Sequence, residues 1–467
     1  MKFLPVRRAA ALVAAATAVT FGLGAGAADA TATPQPVVTL QPIAPLALPA
    51  AGAVSPQLDW STSRNVPGFQ SVTLTVDARG LARVAKVAFA AQCRAHGLVA
   101  SCDDSFDLAS GGMGESAPFT VTPLKGVKLG SVGSFTISGV GAGLIIHGGT
   151  GRVVVGGPAY NLDALARHRN VAVGTTVAQP ITFSNLGTLP AAGSAVGLML
   201  SPGLRFTQHF GNCDYRTLVR KGQRYEDAAL CHFPDWMRIG EKVTFAQPVR
   251  TQVTPQALWT YMDVIAAPAG DQASLQWVTA PGPGVSWHRG SGQVLRLKQL
   301  VAGRPSSSPA GNTQLQLGNQ GNGIEWIAAH NGADYGVTGS SAKAAKGTDV
   351  TMSFTMANHG PAVLYDRSGG EAAPFVKITA PTGTTVVGGP ECGYTVSSTV
   401  GYCSAGMAGI LVWPGDSFHF TITFHVNTVV AHAHGLVQLV AGGGPVPSTT
   451  LSFDPNPRNN TAALLLN

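Results

Sequence analysis

Two stretches decide the fold: "GTTVAQPITFSNLG" at residues 174–187 and "GTDVTMSFTMANHG" at residues 347–360. Each opens on a glycine, alternates apolar and polar residues through its middle, and ends on Asn-x-Gly. This alternation is typical of a strand with one buried face, and Asn-x-Gly supplies a residue able to adopt a positive φ in a turn. The pair therefore indicates two copies of one β unit.

Further landmarks occur in the same order in both copies. The pairs are "GNCDY" (211–215) with "PECGY" (390–394), "WMRIGEKVTFAQPVRTQV" (236–253) with "LVWPGDSFHFTITFHVNT" (411–428), and "NTQLQL" (312–317) with "NTAALLL" (460–466). A second cysteine follows the first landmark in each copy, and the second landmark places Gly-acid before an alternating strand. Residues 56–157 carry a third, diverged version, again with two cysteines between short strands.

The predicted fold class is all-β, with three β-sandwich domains in series. Short alternating strands separated by turn residues every 8–12 positions or so favour sandwiches over helices. The predicted organisation is a signal peptide (1–30), a Pro/Ala-rich tether (31–55), sandwich 1 (56–157), sandwich 2 (158–318) with an inserted hairpin at about 269–298, a linker (319–332) and sandwich 3 (333–467).

The N-terminus predicts export. Lys2, Arg7 and Arg8 precede an apolar run, and Ala28 and Ala30 give the small-x-small pattern that signal peptidase requires. The alternative is an uncleaved anchor helix, because the apolar run is longer than most signal cores. We expect an extracellular protein, secreted or loosely associated with the cell envelope, and out of the membrane after signal removal. The net charge of +7 lies on no basic cluster, so we expect no nucleic-acid partner.

The six cysteines fall as one close pair in each sandwich. They are Cys93 and Cys102, Cys213 and Cys231, and Cys392 and Cys403. Six cysteines allow fifteen pairings, but the duplication favours the local one, and an exported chain favours disulfides. A zinc site would need clustered spacings such as Cys-x2-Cys, which the sequence lacks. The prediction is three local disulfides.

Several stretches resemble the conserved extracellular repeat of unknown function found in secreted and surface proteins of Gram-positive bacteria. They are "FSNLGTLPAAG" (183–193), "ANHGPAVL" (357–364), "ITAPTGTTVVGGPECGY" (378–394), "WPGDSFHFTITFHV" (413–426) and "DPNPRNNTAALLLN" (454–467). The segment "TLTVDARGLARVAKV" (73–87) is similar to the first domain of such proteins. The resemblance implies an immunoglobulin-like sandwich, an extracellular location and no catalytic residues.

Four histidines near the end raise the question of a metal site. In "FHFTITFHV" (418–426) the apolar residues share one parity and the histidines the other, so His419 and His425 should face out of the sheet. They lie too far apart along a strand to share a metal. His432 and His434 share a face and would need a third ligand from elsewhere. The interpretation is solvent-facing imidazoles, with a metal site as the alternative.

The candidate ligand-binding residues lie in an insertion of sandwich 2. Trp277 and Trp287 flank Pro-Gly-Pro-Gly, and Arg289 follows. A projecting hairpin with aromatic faces could stack on a sugar or anchor a protein partner. The alternative is that both tryptophans pack against their own domain.

No stretch of the sequence carries a recognised catalytic motif, such as His-Glu-x-x-His, Gly-x-Ser-x-Gly or a Walker loop. The acidic groups "CDDSFD" (102–107) and "DPNPRNN" (454–460) could hold calcium but read more simply as turns. The prediction is a non-enzymatic surface or matrix protein without cofactors, acting in adhesion or spacing, with an envelope glycan or another surface protein as partner. Carbohydrate binding through the insertion is the alternative function, and a secreted metalloenzyme is a third hypothesis that requires a bound metal.

Overall fold

A computed structural model gives the structure of most of the chain. It describes residues 35–40, 46–48, 53–56, 58–63, 69–107, 115–116, 118–220, 222–269, 271–279, 286–304, 321–365, 374–392, 394–405, 411–441 and 451–467. The predicted signal segment, with Ala28 and Ala30, and the stretch 312–317 lie outside the described residues.

The described strands fall into three units, and unit 1 runs from residue 37 to 155. Its strands are β1 Val37–Leu40, β2 Leu46–Leu48, β3 Leu58–Thr62, β4 Phe69–Asp77, β5 Ala85–Phe89, β6 Cys93–His96, β7 Val99–Asp107, β8 Glu115–Ser116, β9 Phe119–Pro123, β10 Val132–Gly141, β11 Ile145–His147 and β12 Gly149–Val155. A 3-10 turn, Arg79–Leu81, follows β4.

Unit 2 runs from residue 160 to 330 and includes one helix. Its elements are β13 Tyr160–Leu162, β14 Arg167–Ala172, β15 Thr176–Gln179, β16 Thr182–Asn185, β17 Ala191–Leu200, β18 Leu204–Phe206, β19 Cys213–Arg220, β20 Gln223–Met237, β21 Lys242–Phe245, β22 Val249–Val253, β23 Trp259–Pro268, α1 Gln272–Thr279, β24 His288–Arg289, β25 Leu297–Val301 and β26 Gly321–His330.

Unit 3 runs from residue 333 to 466. Its strands are β27 Ala333–Val337, β28 Ser340–Ala342, β29 Asp349–Pro361, β30 Leu364–Tyr365, β31 Phe375–Thr379, β32 Thr384–Gly388, β33 Tyr394–Ser397, β34 Val400–Cys403, β35 Leu411–Val412, β36 Ser417–Val426, β37 Ala433–Val440 and β38 Thr461–Leu466. A 3-10 turn, Pro457–Asn459, precedes β38.

The three units share one six-stranded order, which we call the long sheet. The orders are β2-β12-β10-β4-β7-β6 in unit 1, β14-β26-β23-β17-β20-β19 in unit 2 and β28-β38-β37-β31-β34-β33 in unit 3, and in unit 2 the short β24 adds a seventh strand beside β19. In each unit a short strand that follows the central strand pairs in another sheet (β5 with β9, β18 with β22, β32 with β36), and the chain then returns as a hairpin beside the central strand. Because this detour recurs, the topology supports the interpretation of a third, diverged copy.

Each unit has its own apolar core between its sheets, as expected for an immunoglobulin-like β-sandwich. Phe183 and Val196 lie fully buried in unit 2, Phe420 and Phe424 in unit 3, and Leu74 in unit 1. Alternate residues along a strand point to opposite faces, so a regular apolar row faces the core and its polar neighbours face out. The predicted all-β sandwich architecture is confirmed.

The same buried asparagine closes a turn in units 2 and 3. Asn185 donates from Nδ2 to the carbonyl oxygens of Leu189 and Met237, at 3.0 and 3.2 Å. Asn358 makes the corresponding pair of bonds at 3.0 and 3.1 Å, and both asparagines are fully buried. The Asn-x-Gly ending of the two opening stretches is thus a cross-link that satisfies buried carbonyls, which would be costly to leave unpaired.

The three predicted disulfides are confirmed. Cys93–Cys102, Cys213–Cys231 and Cys392–Cys403 each join two adjacent strands or their ends, and the described chain has no free cysteine. Each bond staples the hairpin that returns beside the central strand of its long sheet.

Two predicted boundaries are wrong. The expected tether, 31–55, contributes β1 and β2, and Val38 and Leu48 of these strands are fully buried in the core of unit 1. The expected linker, 319–332, contributes β26, which lies between β14 and β23 in the long sheet of unit 2. In 31–55, the strands lie among prolines and alanines and are too short to show a periodic pattern. In 319–332, a strand that is buried on one face lies beside glycines and is easily mistaken for a connecting loop.

The units adjoin with almost no connecting chain. Between units 1 and 2, the Gly157 N–H donates to Thr188 Oγ1 at 3.0 Å, and the Thr188 N–H donates back to the Gly157 carbonyl at 2.8 Å. Between units 2 and 3, Asn331 Nδ2 donates to the carbonyls of Pro255 and Ala257, at 2.8 and 2.7 Å. Both junctions are therefore held by hydrogen bonds.

Candidate functional site

The insertion of unit 2 forms a helix and a short edge strand, so the predicted projecting hairpin is wrong. Asp271 accepts the Ser274 N–H at 3.1 Å, in the manner of a helix N-cap, and α1 follows. Leu275 and Val278 of α1 are buried against the outer face of the long sheet, beside Ile265. The apolar residues of α1 thus cover a sheet face that would otherwise meet water.

The described candidate ligand-binding residues of the insertion are engaged within the unit. Trp287 packs against the α1 cluster, and the Arg216 guanidinium lies 5.4 Å from the centre of its ring. Arg289 donates from Nε to the Gly211 carbonyl at 2.7 Å, and its Nη1 lies 3.3 Å from Asp214. The side chain of Trp277 lies outside the described residues, although its backbone belongs to α1. These contacts favour a structural role for Trp287 and Arg289.

The histidines of β36 face outward, as the alternation predicts. Phe420, Ile422 and Phe424 are buried, while His419 is exposed. His425 is partly exposed, and its Nδ1 lies 2.7 Å from the Asp349 carboxylate on the neighbouring strand. This row is the outer surface of the sheet.

His432 and His434 line a cavity of about 360 Å³ at one end of the long sheet of unit 3. We call it the histidine cavity; it also contains Ser341, Lys343 and Leu465. Both histidines are exposed. Among the described residues, no three His, Cys, Asp or Glu side chains lie close enough to hold one metal ion. The third ligand that the metal hypothesis needs is not found in the described part of the chain.

Unit 2 has a cavity at the position equivalent to the histidine cavity, and the strand pairing of the two units defines this equivalence. The second cysteine of each staple pairs with Val196 in unit 2 and with Val376 in unit 3. When the two long sheets are aligned on these valines, Tyr261 of β23 and His434 of β37 occupy equivalent positions. The next strand pairs Tyr261 with Trp326 and His434 with Leu465. The last strand pairs Arg167 with Trp326 and Ser341 with Leu465.

The unit 2 cavity has a volume of about 390 Å³, and we call it the arginine cavity. It is lined by Arg167, His168, Arg169, Trp259, Trp326, Ile327 and Ala328. Its residues were not identified from the sequence, because they come from both ends of the unit and the second end was read as a linker. The basic "RHRN" at 167–170 and the paired "WTY" and "EW" at 259–261 and 325–326 are the signals that could have found it.

A buried carboxyl group lies behind the arginine cavity. Glu325 is fully buried, and its Oε1 lies 3.0 Å from Nε2 of the partly exposed His168. Burial raises the pKa of the Glu325 carboxyl to about 7. Burial and the nearby Glu226 raise the pKa of Asp263, farther along the outer face, to about 6.

Unit 1 has a small polar residue, Ser134, at the same position. The register places Ser134 where Tyr261 stands in unit 2. The 3-10 turn packs there so closely that a Cβ added at Gly80 would lie 2.4 Å from the Ser134 carbonyl oxygen. Ser134 nevertheless stays exposed, so the turn adjoins this surface of unit 1 without covering it.

The acidic groups considered for calcium are used in local bonds. Asp103 pairs with Arg94 at 2.9 Å. Asp454 accepts the Tyr335 N–H through one oxygen and the Asn456 N–H through the other. The side chain of Asp107 lies outside the described residues.

Comparisons with known proteins leave the function open. No protein-family model matches the chain, and no curated protein sequence matches it. Among solved structures, the chain is similar to three immunoglobulin domains of titin (8% identity, 93% of this chain and 96% of that one, TM-score 0.19). It is also similar to the third cohesin of ScaC from Acetivibrio cellulolyticus (11% identity, 25% of this chain and 99% of that one, TM-score 0.18). TM-scores this low carry no argument, so the fold assignment rests on the strand pairing.

Within the described residues, no helix is long and apolar enough to cross a bilayer.

Proposed function

We propose that the chain is an exported, non-enzymatic protein whose three sandwiches form a stiff adhesion or spacer module at a cell surface or in a matrix. The observation that carries the proposal is the construction of the two junctions. Leu258 of unit 2 lies in the core cluster of unit 3, and Trp259 packs edge-on against Phe453 with ring centres 5.5 Å apart. Packed, hydrogen-bonded junctions resist bending, and a stiff series of domains suits a protein that holds a partner at a distance.

Export is supported by the three disulfides, since such bonds persist in oxidising compartments. The test is to express the full chain with its own leader in a Gram-positive host, then to sequence the N-terminus of the released protein and alkylate free thiols. We expect a mature chain that starts after Ala30, in the medium or the envelope fraction. All six cysteines should be in disulfides and therefore not alkylated. A variant with Ala28→Leu and Ala30→Leu should stay uncleaved. A chain that remains inside the cell with reduced thiols would reject the proposal.

The stiffness of the mature protein is tested by small-angle X-ray scattering. A compact globule of this length has a radius of gyration of about 22 Å, and a stiff series of three domains must exceed it. Asn331→Ala removes the hydrogen bonds to Pro255 and Ala257 and should broaden the distribution of maximum dimensions. Asn161→Ala, an exposed asparagine of unit 2, is the matched control.

Carbohydrate binding through the insertion stays a prediction. The contacts of Trp287 and Arg289 within unit 2 do not favour it, and we expect an envelope glycan or a second surface protein to bind at another surface.

A further inference from the structure

The outer face of the long sheet of unit 2 has a covered half and an open half. α1 covers the half that carries Ala228 and Ile265. The open half ends in the arginine cavity, and a second cavity of about 640 Å³ adjoins it and shares Trp259 and Ala328 with it. We call the two together the aromatic groove. It runs from β14 of unit 2 to the loop around Phe453 in unit 3.

The aromatic rings in the groove and beside it are held in place by packing. Tyr261 and Trp326 lie on adjacent strands with ring centres 5.6 Å apart, and Tyr261 stacks on Tyr365 of unit 3 at 6.1 Å. Trp259 is fixed edge-on against Phe453. Rings that are already ordered lose little entropy when they bind, so they can serve as flat platforms for a ligand.

The β14 end of the groove is positively charged. Arg167 and Arg169 are exposed, and within the described residues neither pairs with a carboxylate. Glu325 is buried behind this wall and bonded to His168. Asp263 lies on the same face, two residues and about 7 Å beyond Tyr261 along the strand, and so away from the arginines. An anionic ligand group is therefore favoured at the arginine end.

The far end of the groove has one acidic side chain in its lining. Asp454 lines the second cavity, but both of its carboxylate oxygens already accept backbone N–H groups. The groove therefore combines a flat aromatic floor with one cationic end, and its first compartment, at about 390 Å³, has the size of a small-ligand site.

We propose that the aromatic groove binds an anionic oligosaccharide: sugar rings stack on Trp326 and Trp259, and an acidic group on the ring over Trp326 is held by Arg167 and Arg169. A sugar ring presents a flat C–H face to an aromatic ring and hydroxyls to its rim, and guanidinium groups pair with carboxylate or sulfate oxygens in planar geometry. This gives the adhesion role a ligand class, although the binding itself does not depend on export.

A saccharide fits the groove better than an acidic peptide does. A peptide strand is recognised mainly through main-chain hydrogen bonds along an open sheet edge, which here is the free edge of β14. The tryptophans instead lie on the face of the sheet, where they offer ring surface and no main-chain partners.

The test uses the purified, oxidised full-length mature chain and isothermal titration with a hexamer of galacturonic acid. We expect binding that weakens with salt, and little binding of the neutral hexamer of maltose. Trp326→Leu, which installs the residue of unit 3, should weaken binding about tenfold or more. Arg167→Ser with Arg169→Gln should weaken it comparably and remove most of the salt dependence. The two arginines are exposed, so this variant should fold even if Trp326→Leu does not.

The matched controls are Trp236→Leu and Arg205→Gln, both exposed residues of unit 2 outside the groove; they should bind like the parent chain. A sulfated hexasaccharide in place of the uronic acid shows which acid group the arginines prefer, and binding of either supports the proposal. Absence of binding to both, equal binding of the neutral sugar, unchanged affinity in the groove variants, or binding of a hexaglutamate peptide alone would overturn it. None of these outcomes bears on export, which the leader experiment decides.

Discussion

The arginine cavity of unit 2 and the histidine cavity of unit 3 are the same place in two copies of one fold. Each lies at the end of the long sheet, lined by its first, second and third strands in sheet order. Arg167, Trp326 and Tyr261 stand in unit 2 where Ser341, Leu465 and His434 stand in unit 3. The scaffold therefore supplies the cavity, and a few outward side chains supply its chemistry.

The difference also shows how a repeat can acquire a binding surface without a change of fold. Outward positions on a long sheet are not constrained by the core, so a serine can become an arginine at little cost in stability. The constrained positions, such as the buried asparagines, remain the same in both units. The following predictions test the shared scaffold first and then the positions at which the two copies differ.

The largest effect is expected from the asparagine that both units share. Asn185→Ala removes the bonds to the carbonyls of Leu189 and Met237 and the bonds from the N–H groups of Ala159 and Gly187. We expect the free energy of unfolding of unit 2 to fall by about 4 kcal/mol, since each unpaired buried group costs roughly 1–3 kcal/mol. This loss of unfolding free energy can be measured by hydrogen exchange in denaturant, followed separately for each unit, because a chain of three units need not unfold in one step.

Asn358→Ala should destabilise unit 3 by a similar amount and leave unit 2 nearly unchanged. The control is Asn161→Ala, which removes an exposed side chain. A loss below about 1 kcal/mol in either buried variant would mean that the two networks are not the matched supports that their geometry indicates.

The disulfides give the next largest effect and should rank by loop length. Replacing Cys213 and Cys231 by alanine opens a loop with a sequence separation of 18, whereas the pair Cys392 and Cys403 spans 11. The chain-entropy estimate gives about 3 kcal/mol for each, with unit 2 losing roughly 0.4 kcal/mol more. Unfolding of the two double variants by unit-resolved hydrogen exchange measures both values. A reversed order would show that residual structure in the unfolded hairpins dominates.

A third prediction concerns pH, because Glu325 in unit 2 occupies the place of Leu464 in unit 3. The folded-state pKa of Glu325 is about 7, above its ordinary value of 4.5. Between these values the folded state binds more protons than the unfolded state, so stability falls as pH rises from about 4.5 to 7 and is level above that range. We expect unit 2 to lose about 2–3 kcal/mol across this interval.

Glu325→Leu gives unit 2 the residue of unit 3 and should remove that loss, so the variant is more stable than the parent at pH 8. Glu325→Gln is the isosteric control and should also flatten the profile. Unfolding midpoints of unit 2 at pH 5 and pH 8 measure the effect. A parent chain with equal midpoints would show that the hydrogen bond with His168 already offsets the burial of the charge.

The sequence predicted the features that local patterns encode. Alternation along 418–426 placed Phe420 in the core and His419 outside, and the repeated spacing of the cysteines selected the disulfides. The three-residue β2 was missed, because so short a strand has no period and exists only through its parallel pairing with β12. The eight-residue α1 was missed because only Leu275 and Val278 mark its buried face, too few to establish a helical period.

The arginine cavity could not be found from local patterns. Arg167 and Trp326 are neighbours only because β14 and β26, the second and last strands of unit 2, pair in parallel. A cavity made by such a non-local pairing becomes visible only when the strand order is known. Without this pairing, residues 319–332 resemble a linker and not a segment that contains β26.

The smallest effect is expected on the outer wall of unit 3. His425 pairs with Asp349 at 2.7 Å, and both side chains are about half exposed. The register places Gln252 and Thr176 at the corresponding positions of unit 2, which therefore has an uncharged pair there. His425→Gln gives unit 3 the wall of unit 2, and we expect a change below about 0.5 kcal/mol in its free energy of unfolding at pH 7. Unit-resolved unfolding at low and high salt measures it, with Thr423→Val on the same face as the control. A loss above about 1 kcal/mol that disappears in salt would show that this surface charge pair supports the sheet, and the histidine row would then be part of what distinguishes the stability of unit 3 from that of unit 2.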